Sequence, residues 1–288
     1  MKNILILLIM FSTSLSIRGQ ELKSFQIYNE KGKSIHFGKM IKHLEKYDVV
    51  LFGEYHNNSI VHWLELKTTQ ALYDKVGNKL ILGAEMFERD NQSAINQYLS
   101  GESDHKTLEK DARLWKNHNT DYKPLLDFAK DHKLAMVATN VPRRFASEVA
   151  KKGQDSLVLS NEDIPWVVKL PYKVTLETPG YVEMKNMMGD HAGSKAMNFV
   201  AAQAIKDATM AESILAFWQP GRLFLHYHGD FHSKEFGGIY WYLKDANPNL
   251  KIAVISLTES EDINLPLPKD FVKTTFSIVL PADMTKTY

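Results

Sequence analysis

Three apolar, β-type runs in this chain each end in acidic or histidine residues. Asp48-Val49-Val50-Leu51-Phe52 leads into Gly53-Glu54-Tyr55-His56, and Leu80-Ile81-Leu82-Gly83-Ala84 leads into Glu85. Arg222-Leu223-Phe224-Leu225 leads into His226-Tyr227-His228-Gly229-Asp230-Phe231-His232. In a sheet of parallel strands such positions all fall on the carboxyl edge, where ligands bind. The pattern predicts that segments distant in sequence deliver carboxylates and imidazoles to one rim. That rim suits a metal, a metal-bearing cofactor or acid–base chemistry.

Helical periodicity separates the runs. Residues 36–46, 59–73, 194–217 and 233–245 read as helices, and 134–138, 251–257 and 275–280 as further strands. Phe25 to Tyr28 suits an edge strand. Strands alternating with helices imply an α/β fold: a central, mostly parallel sheet flanked by helices. Residues from about 153 to 193 break the rhythm, being rich in Gly, Pro, Trp and Tyr. They read as a helical insertion or lid, helical around 181–189, within one domain spanning 20–288.

The first residues differ in kind. Met1-Lys2-Asn3 precedes the apolar run Ile4 to Phe11, and small residues follow from Ser12 to Ser16. One positive charge, a short apolar core and a small-residue exit predict a secretory signal peptide over residues 1–19. The protein is expected to be exported, periplasmic or secreted. With 35 Lys and Arg against 34 Asp and Glu, the net charge is +1, and a nucleic-acid footprint is not expected. No cysteine is present, so thiolate ligands, disulfides and a lipid-bearing cysteine are excluded. Any metal must use nitrogen and oxygen donors.

Each candidate has a plainer reading beside it. Glu54 and His56 share a side if the extended backbone continues past Gly53, yet Glu54 also suits a helix cap. Glu85 lies in apolar sequence, where a carboxylate is costly unless paired or coordinated; an ion pair with Arg89 is the structural alternative. His226 and His228 point to one face of a strand, and His226 reads as a core histidine. His232, beyond Gly229, is the better candidate for chemistry. Arg143 and Arg144 follow Pro142 at a helix start, where guanidinium groups can hold carboxylates. Met184, Met187 and Met188 fall on one helical face that can pack in a core or wall a flat apolar ligand. No phosphate-binding loop, dinucleotide fingerprint or Gly-x-Ser-x-Gly elbow occurs.

Five ordered blocks carry a resemblance. They are Phe52-Gly53-Glu54-x-His56-Asn57, Gly83-x-Glu85-Met86-Phe87-x-Arg89-x-x-Gln92, Ala138-x-Asn140-x-Pro142, Gln203-x-x-x-Asp207-x-x-Met210-Ala211 and Gly229-x-x-His232. Together the chain resembles the ChaN-like haem-binding lipoproteins, in the superfamily that includes the Tiki proteases, TraB and erythromycin esterases. The resemblance implies an exported haem-binding protein of haem or iron uptake, with haem, a second copy of the chain and an outer-membrane uptake system as partners. It implies a tyrosine oxygen as haem ligand at an interface between two copies, with Tyr181 the first choice, Tyr172 the next and His191 a nearby base. Met184 and Met188 would wall the porphyrin, and Arg143 or Arg144 would pair with its propionates. The hydrolytic relatives imply an alternative, a metal-dependent hydrolase. In it Glu54, His56, Glu85 and His232 act on substrate, and Glu54, Glu85 and His232 hold a divalent metal. Lacking cysteine, this chain departs from the lipoprotein members.

Overall fold

The computed structural model describes residues 22–189, 193–265, 267, 271 and 274–288. The expected signal peptide and His191 lie outside the described residues. The elements run β1 (Gln26–Asn29), β2 (Ser34–Ile35), α1 (Phe37–Leu44), β3 (Val49–Glu54), α2 (Ser59–Val76), β4 (Leu80–Glu88), α3 (Gln92–Ser100), α4 (His105–Asp111), α5 (Lys123–Asp131) and β5 (Met136–Asn140). Then follow α6 (Arg143–Lys152), α7 (Pro179–Met187), α8 (Ser194–Phe217), β6 (Leu223–Gly229), α9 (Gly238–Ala246), β7 (Ile252–Ser260) and β8 (Phe276–Pro281).

Among the described residues eight strands form one sheet in the order β2-β1-β8-β7-β3-β6-β4-β5. From β8 to β5 every neighbouring pair is parallel, while β1 pairs antiparallel with β8 and β2. The expected α/β architecture is therefore present, with strand order added. All six parallel strands point their carboxyl ends the same way. The sheet is covered on both faces, so its central strands are apolar throughout and alternate between two cores. Val50 and Phe52 pack with Met40, Leu44, Val61 and Leu64 on the α1–α2 side. Val49 and Leu51 pack with Met210, Ile214, Ile239 and Leu243 on the α8–α9 side.

One boundary that differs from the sequence reading bears on the site. β4 does not stop at Ala84, because Met86 and Phe87 are also buried and continue the strand to Glu88. Its pairing with β5 shifts register between Ala84 and Glu88, and Glu85 sits inside that irregularity. The insertion is anchored rather than loose. Its residues Val167, Val168, Tyr172, Tyr181 and Met184 share a second core with Phe145 and Val149 of α6 and with Val200, Ala201 and Ile205 of α8. Helix α8 is rich in buried alanine and apolar on most sides, as a helix packed on several neighbours must be. No helix among the described residues is long and apolar enough to cross a membrane.

Gly53 is required for space. A Cβ there would lie 2.5 Å from Asp230 Oδ1, 3.0 Å from Asp230 Cα and 3.1 Å from the Ile255 carbonyl oxygen. Two of those atoms are backbone and cannot yield. The Gly53→Ala variant is expected to lose about 1–3 kcal/mol of stability, read as a lower guanidinium midpoint. An unchanged midpoint would show that β3 and β6 can separate at this point without cost.

Candidate functional site

The carboxyl ends of β3, β4 and β6 lie side by side, and each brings one acid or histidine to the rim. Glu54 closes β3 and is buried. Its Oε1 accepts a hydrogen bond from His56 Nδ1 at 2.5 Å and one from the Tyr122 hydroxyl at 2.7 Å. The expected same-side placement of Glu54 and His56 is thus realised as a direct bond. The His56 ring stands edge-on to Trp115, with ring centroids 4.8 Å apart. Its other nitrogen faces Gly229, where a Cβ would lie 2.9 Å from His56 Nε2 and 3.6 Å from Glu85 Oε2. Gly229 is bare because the two side chains meet over it. Its amide donates to Glu85 Oε2 at 2.8 Å.

Glu85 Oε1 pairs with His232 Nε2 at 3.1 Å, and His232 Nδ1 donates to Asp207 Oδ1 of α8. The hydroxyl of Tyr181 donates to the other Asp207 oxygen at 2.6 Å. A continuous chain, Tyr181–Asp207–His232–Glu85, therefore runs from the insertion through α8 to the sheet edge. Arg89 takes no part. It binds Glu212, Ser213 and the Thr209 carbonyl, so the ion pair with Glu85 weighed from sequence is replaced by the one with His232.

These contacts decide the charges. Burial alone would discharge His232, but Glu85 and Asp207 on either side lift it to about 9, so it is an imidazolium at neutral pH. Burial alone would raise Glu85, yet the positive His232 holds it well below the usual carboxylate range. Burial lowers His56, and its bond to Glu54 together with the charge of Glu85 more than reverses this. His226 and His228 behave differently. They are fully buried, bond to each other at 3.0 Å between Nδ1 atoms, and end on Thr139 and Ser233. Burial pushes His228 down to about 3 and His226 well below its usual value. The core-histidine reading of His226 extends to its neighbour.

Glu54, His56, Glu85 and His232 thus gather at one rim. A cavity of about 760 Å³ opens on one side, lined by Glu54, His56, Met184 and His232 among others. A second of about 660 Å³ opens on the other, lined by His56, Glu85, Arg143, Lys206 and His232. The remaining expectations fare unevenly. Arg143 faces the second cavity, whereas Arg144 is bound to Asp163 and Asp90 and lies over Phe145 and Trp166. Met184 is buried, and Met188 is exposed at the end of α7. Tyr181 is 1 % exposed and tied to Asp207; Tyr172 is 5 % exposed and bonds the Ala201 carbonyl. Both chosen tyrosines thus serve the insertion's core, and neither hydroxyl is presented to a ligand. The expected metal trio of Glu54, Glu85 and His232 is not at ligand spacing among the described residues. The group at ligand spacing among the described residues is Glu54, His62 and Glu65.

The hydrolytic alternative asks His232 to act as base or metal ligand. In this structure Glu85 and Asp207 bond its two nitrogens. Several participants escaped the sequence reading. Asp207 lay in a recognised block but had no assigned role. His62 and Glu65 stand at i and i+3 of α2, a spacing that places them on one face. Nothing in the sequence marked Asp121 or Tyr122, which reach the rim from the irregular turn at 118–122.

A family model described as haem-binding uptake, Tiki superfamily, ChaN, matches residues 40–243. The chain belongs to that family. Among solved structures, one described as cofacial heme binding to ChaN of Campylobacter jejuni aligns with a TM-score of 0.68 at 18 % identity, covering 91 % of this chain and 99 % of that one. A mutant erythromycin esterase, EreC, in its open conformation aligns at 0.47 and 13 % identity, covering 90 % and 83 % of the two chains. The effector domain RRSP of a Vibrio vulnificus MARTX toxin aligns at 0.46 and 14 %, covering 87 % and 40 %. No curated protein matches the chain. The Campylobacter likeness supports the mixed α/β fold, and the family match places the chain among haem-binding uptake proteins.

Two outcomes test the electrostatics of this ChaN-family rim. Replacing His232 by Gln leaves Glu85 and Asp207 buried without their cation and is expected to cost about 3–5 kcal/mol, read by denaturant unfolding. The contribution of His232 is whole below its ordinary value of 6.5 and fades as pH rises through about 9. That of Glu85 is whole above its ordinary 4.5 and fades only as the solution turns strongly acid. The stability gap between wild type and His232→Gln should therefore be widest between these limits and narrow above pH 9. A gap unchanged up to pH 11 (roughly two units beyond) would exclude the buried imidazolium.

Proposed function

We propose that this protein binds haem at its surface and serves haem uptake as an exported carrier. Family membership over residues 40–243 carries the proposal. The surface of the chain supports it. Around the turn between α7 and α8, Met187, Met188, Met197 and Phe199 are 72, 42, 37 and 42 % exposed. Large apolar side chains open to solvent on α7 and α8 suit a binding surface, and a flat porphyrin is a ligand for such side chains. Phe199 also borders a shallow hollow of about 170 Å³ that contains Arg143 and Lys206. Two cations beside an apolar face suit the propionates of haem. Arg144, held by Asp163 and Asp90, is not among them.

Cofacial heme binding is described for the Campylobacter protein, and here a bound haem would be enclosed by such a face from each of two copies. Haem-dependent pairing of two chains is part of this reading. Export through the expected signal peptide would put the carrier outside the cytoplasm, where an outer-membrane haem-uptake system would supply it.

Titration of the purified protein with hemin tests the reading. A saturable Soret shift is expected, with a Kd raised at least about tenfold in Phe199→Asp, Met188→Asp and Arg143→Gln, roughly 1.4 kcal/mol each. Because their hydroxyls are internal, Tyr181→Phe and Tyr172→Phe should keep the wild-type Soret band while losing about 1 kcal/mol of stability. Light scattering should report a dimer once hemin is added. A protein that shows no saturable spectral change refutes haem binding outright.

A further inference from the structure

A third set of side chains lies behind Glu54, on the side away from His56, and neither the rim chemistry nor haem binding uses it. Glu54 at the end of β3 and Glu65 on α2 are 2 % and 0 % exposed. Between them stands His62, 6 % exposed, with its Nδ1 3.1 Å from Glu65 Oε2 and 3.8 Å from Glu54 Oε2. One donor atom from each of the three lies within 4.8 Å of the others. Tetrahedral zinc with bonds near 2.0–2.1 Å holds its ligand atoms about 3.3 Å apart, so a contraction of at most about 1.5 Å would bring these atoms into one coordination shell.

The bonding around the three is incomplete in one direction only. Glu54 Oε1 is saturated by His56 and Tyr122, whereas the buried Glu54 Oε2 meets no donor outside the neighbouring Glu65 carboxyl. Glu65 Oε1 is buried and unpartnered as well. Leaving two carboxylate oxygens dry and unbonded is costly. Without an ion the two carboxyls must share a proton, and burial together with the Glu54 charge raises Glu65 accordingly. A divalent cation among the three would serve both glutamates and balance their charge.

The outward side of His62 is fixed as the outward side of a metal-bound histidine is fixed. Its Nε2 donates to the backbone carbonyl of His56 at 3.1 Å and lies 3.4 Å from Asp121 Oδ2. Asn117 clamps both acceptors, donating to the same carbonyl at 3.0 Å and to Asp121 at 2.7 Å. Ligating histidines nearly always give their second N–H to a carbonyl or carboxylate in this way, which turns the lone pair of the first nitrogen inward. A surface cavity of about 750 Å³ lined by His62, Asn117 and Asp121 lies on the outward side of the group.

We infer that Glu54, His62 and Glu65 form a binding site for one divalent transition-metal ion. One imidazole and two carboxylates, without thiolate, suit zinc, manganese or cobalt rather than a soft monovalent ion. The site is separate from the haem-facing surface. It touches the rim through Glu54 and through the His56 carbonyl, so an ion here would stiffen the β3–α2 turn that carries His56.

Chelator-treated full-length protein, titrated with Co²⁺ and followed by its visible d–d absorption, tests the site. The expected result is one equivalent bound, displaced by Zn²⁺, with a rise in thermal midpoint as the ion is added. Glu65→Gln and His62→Gln should bind at least about tenfold more weakly, while His232→Gln should bind as wild type does. Proton NMR of the cobalt-loaded wild type should show a hyperfine-shifted, exchange-protected imidazole N–H, which locates the ion without any variant. Failure of wild type to bind, equal binding by Glu65→Gln, or loss in His232→Gln alone would each overturn the site. Hemin titration of Glu65→Gln should match wild type, so the outcome here is read independently of haem binding.

Discussion

One buried cation holds the rim together. His232 lies between Glu85 of β4 and Asp207 of α8, and its own segment follows β6. Three elements that meet nowhere else in sequence are thereby joined through a single imidazolium. A buried ion pair contributes little net stability compared with an apolar replacement, but it is unforgiving of partial loss. It therefore fixes geometry more than it adds to stability. Glu85 is aimed towards His56 because His232 and the Gly229 amide hold its two oxygens. The Glu54–His56 pair, closed by Tyr122, completes the rim from the other side.

Much of the fold was legible because its signals are local. Apolar runs such as Val49 to Phe52 can only be strands covered on both faces, and the alternation of strand and helix dictates parallel pairing. Helix α8 was readable to its ends. β4 was read short because Glu85 looks like a boundary. In the folded chain the strand carries the carboxylate inside, since His232 arrives from 147 residues away to neutralise it. The gathering of Glu54, His56, Glu85 and His232 followed from strand ends alone. The contents of the insertion did not follow. A tyrosine in a Gly- and Pro-rich stretch gives no sign of whether its hydroxyl meets solvent or an aspartate. Tyr181 met Asp207, a residue whose environment is decided by the packing of α8 against α7.

The rim and the exposed apolar side chains of α7 and α8 divide the chemistry of the chain. The rim is polar, charged and buried, and surroundings sort its histidines: carboxylates raise His56 and His232, whereas burial lowers His226 and His228. The surface around the α7–α8 turn is apolar and open, with cations at its margin. Carboxylates packed under a sheet edge suit cations, and methionine and phenylalanine facing water suit a flat hydrocarbon ring. Both sets of groups are supported on α8, so one long helix serves as backbone to both.

That shared support has a mechanical corollary. Helix α7 ends among the exposed methionines and carries Tyr181 one and a half turns earlier, locked onto Asp207. Any load that lifts α7 must first pull the Tyr181 hydroxyl away from that aspartate. Through Asp207, a displacement of α7 would reach His232 at the sheet edge without any movement of the sheet itself.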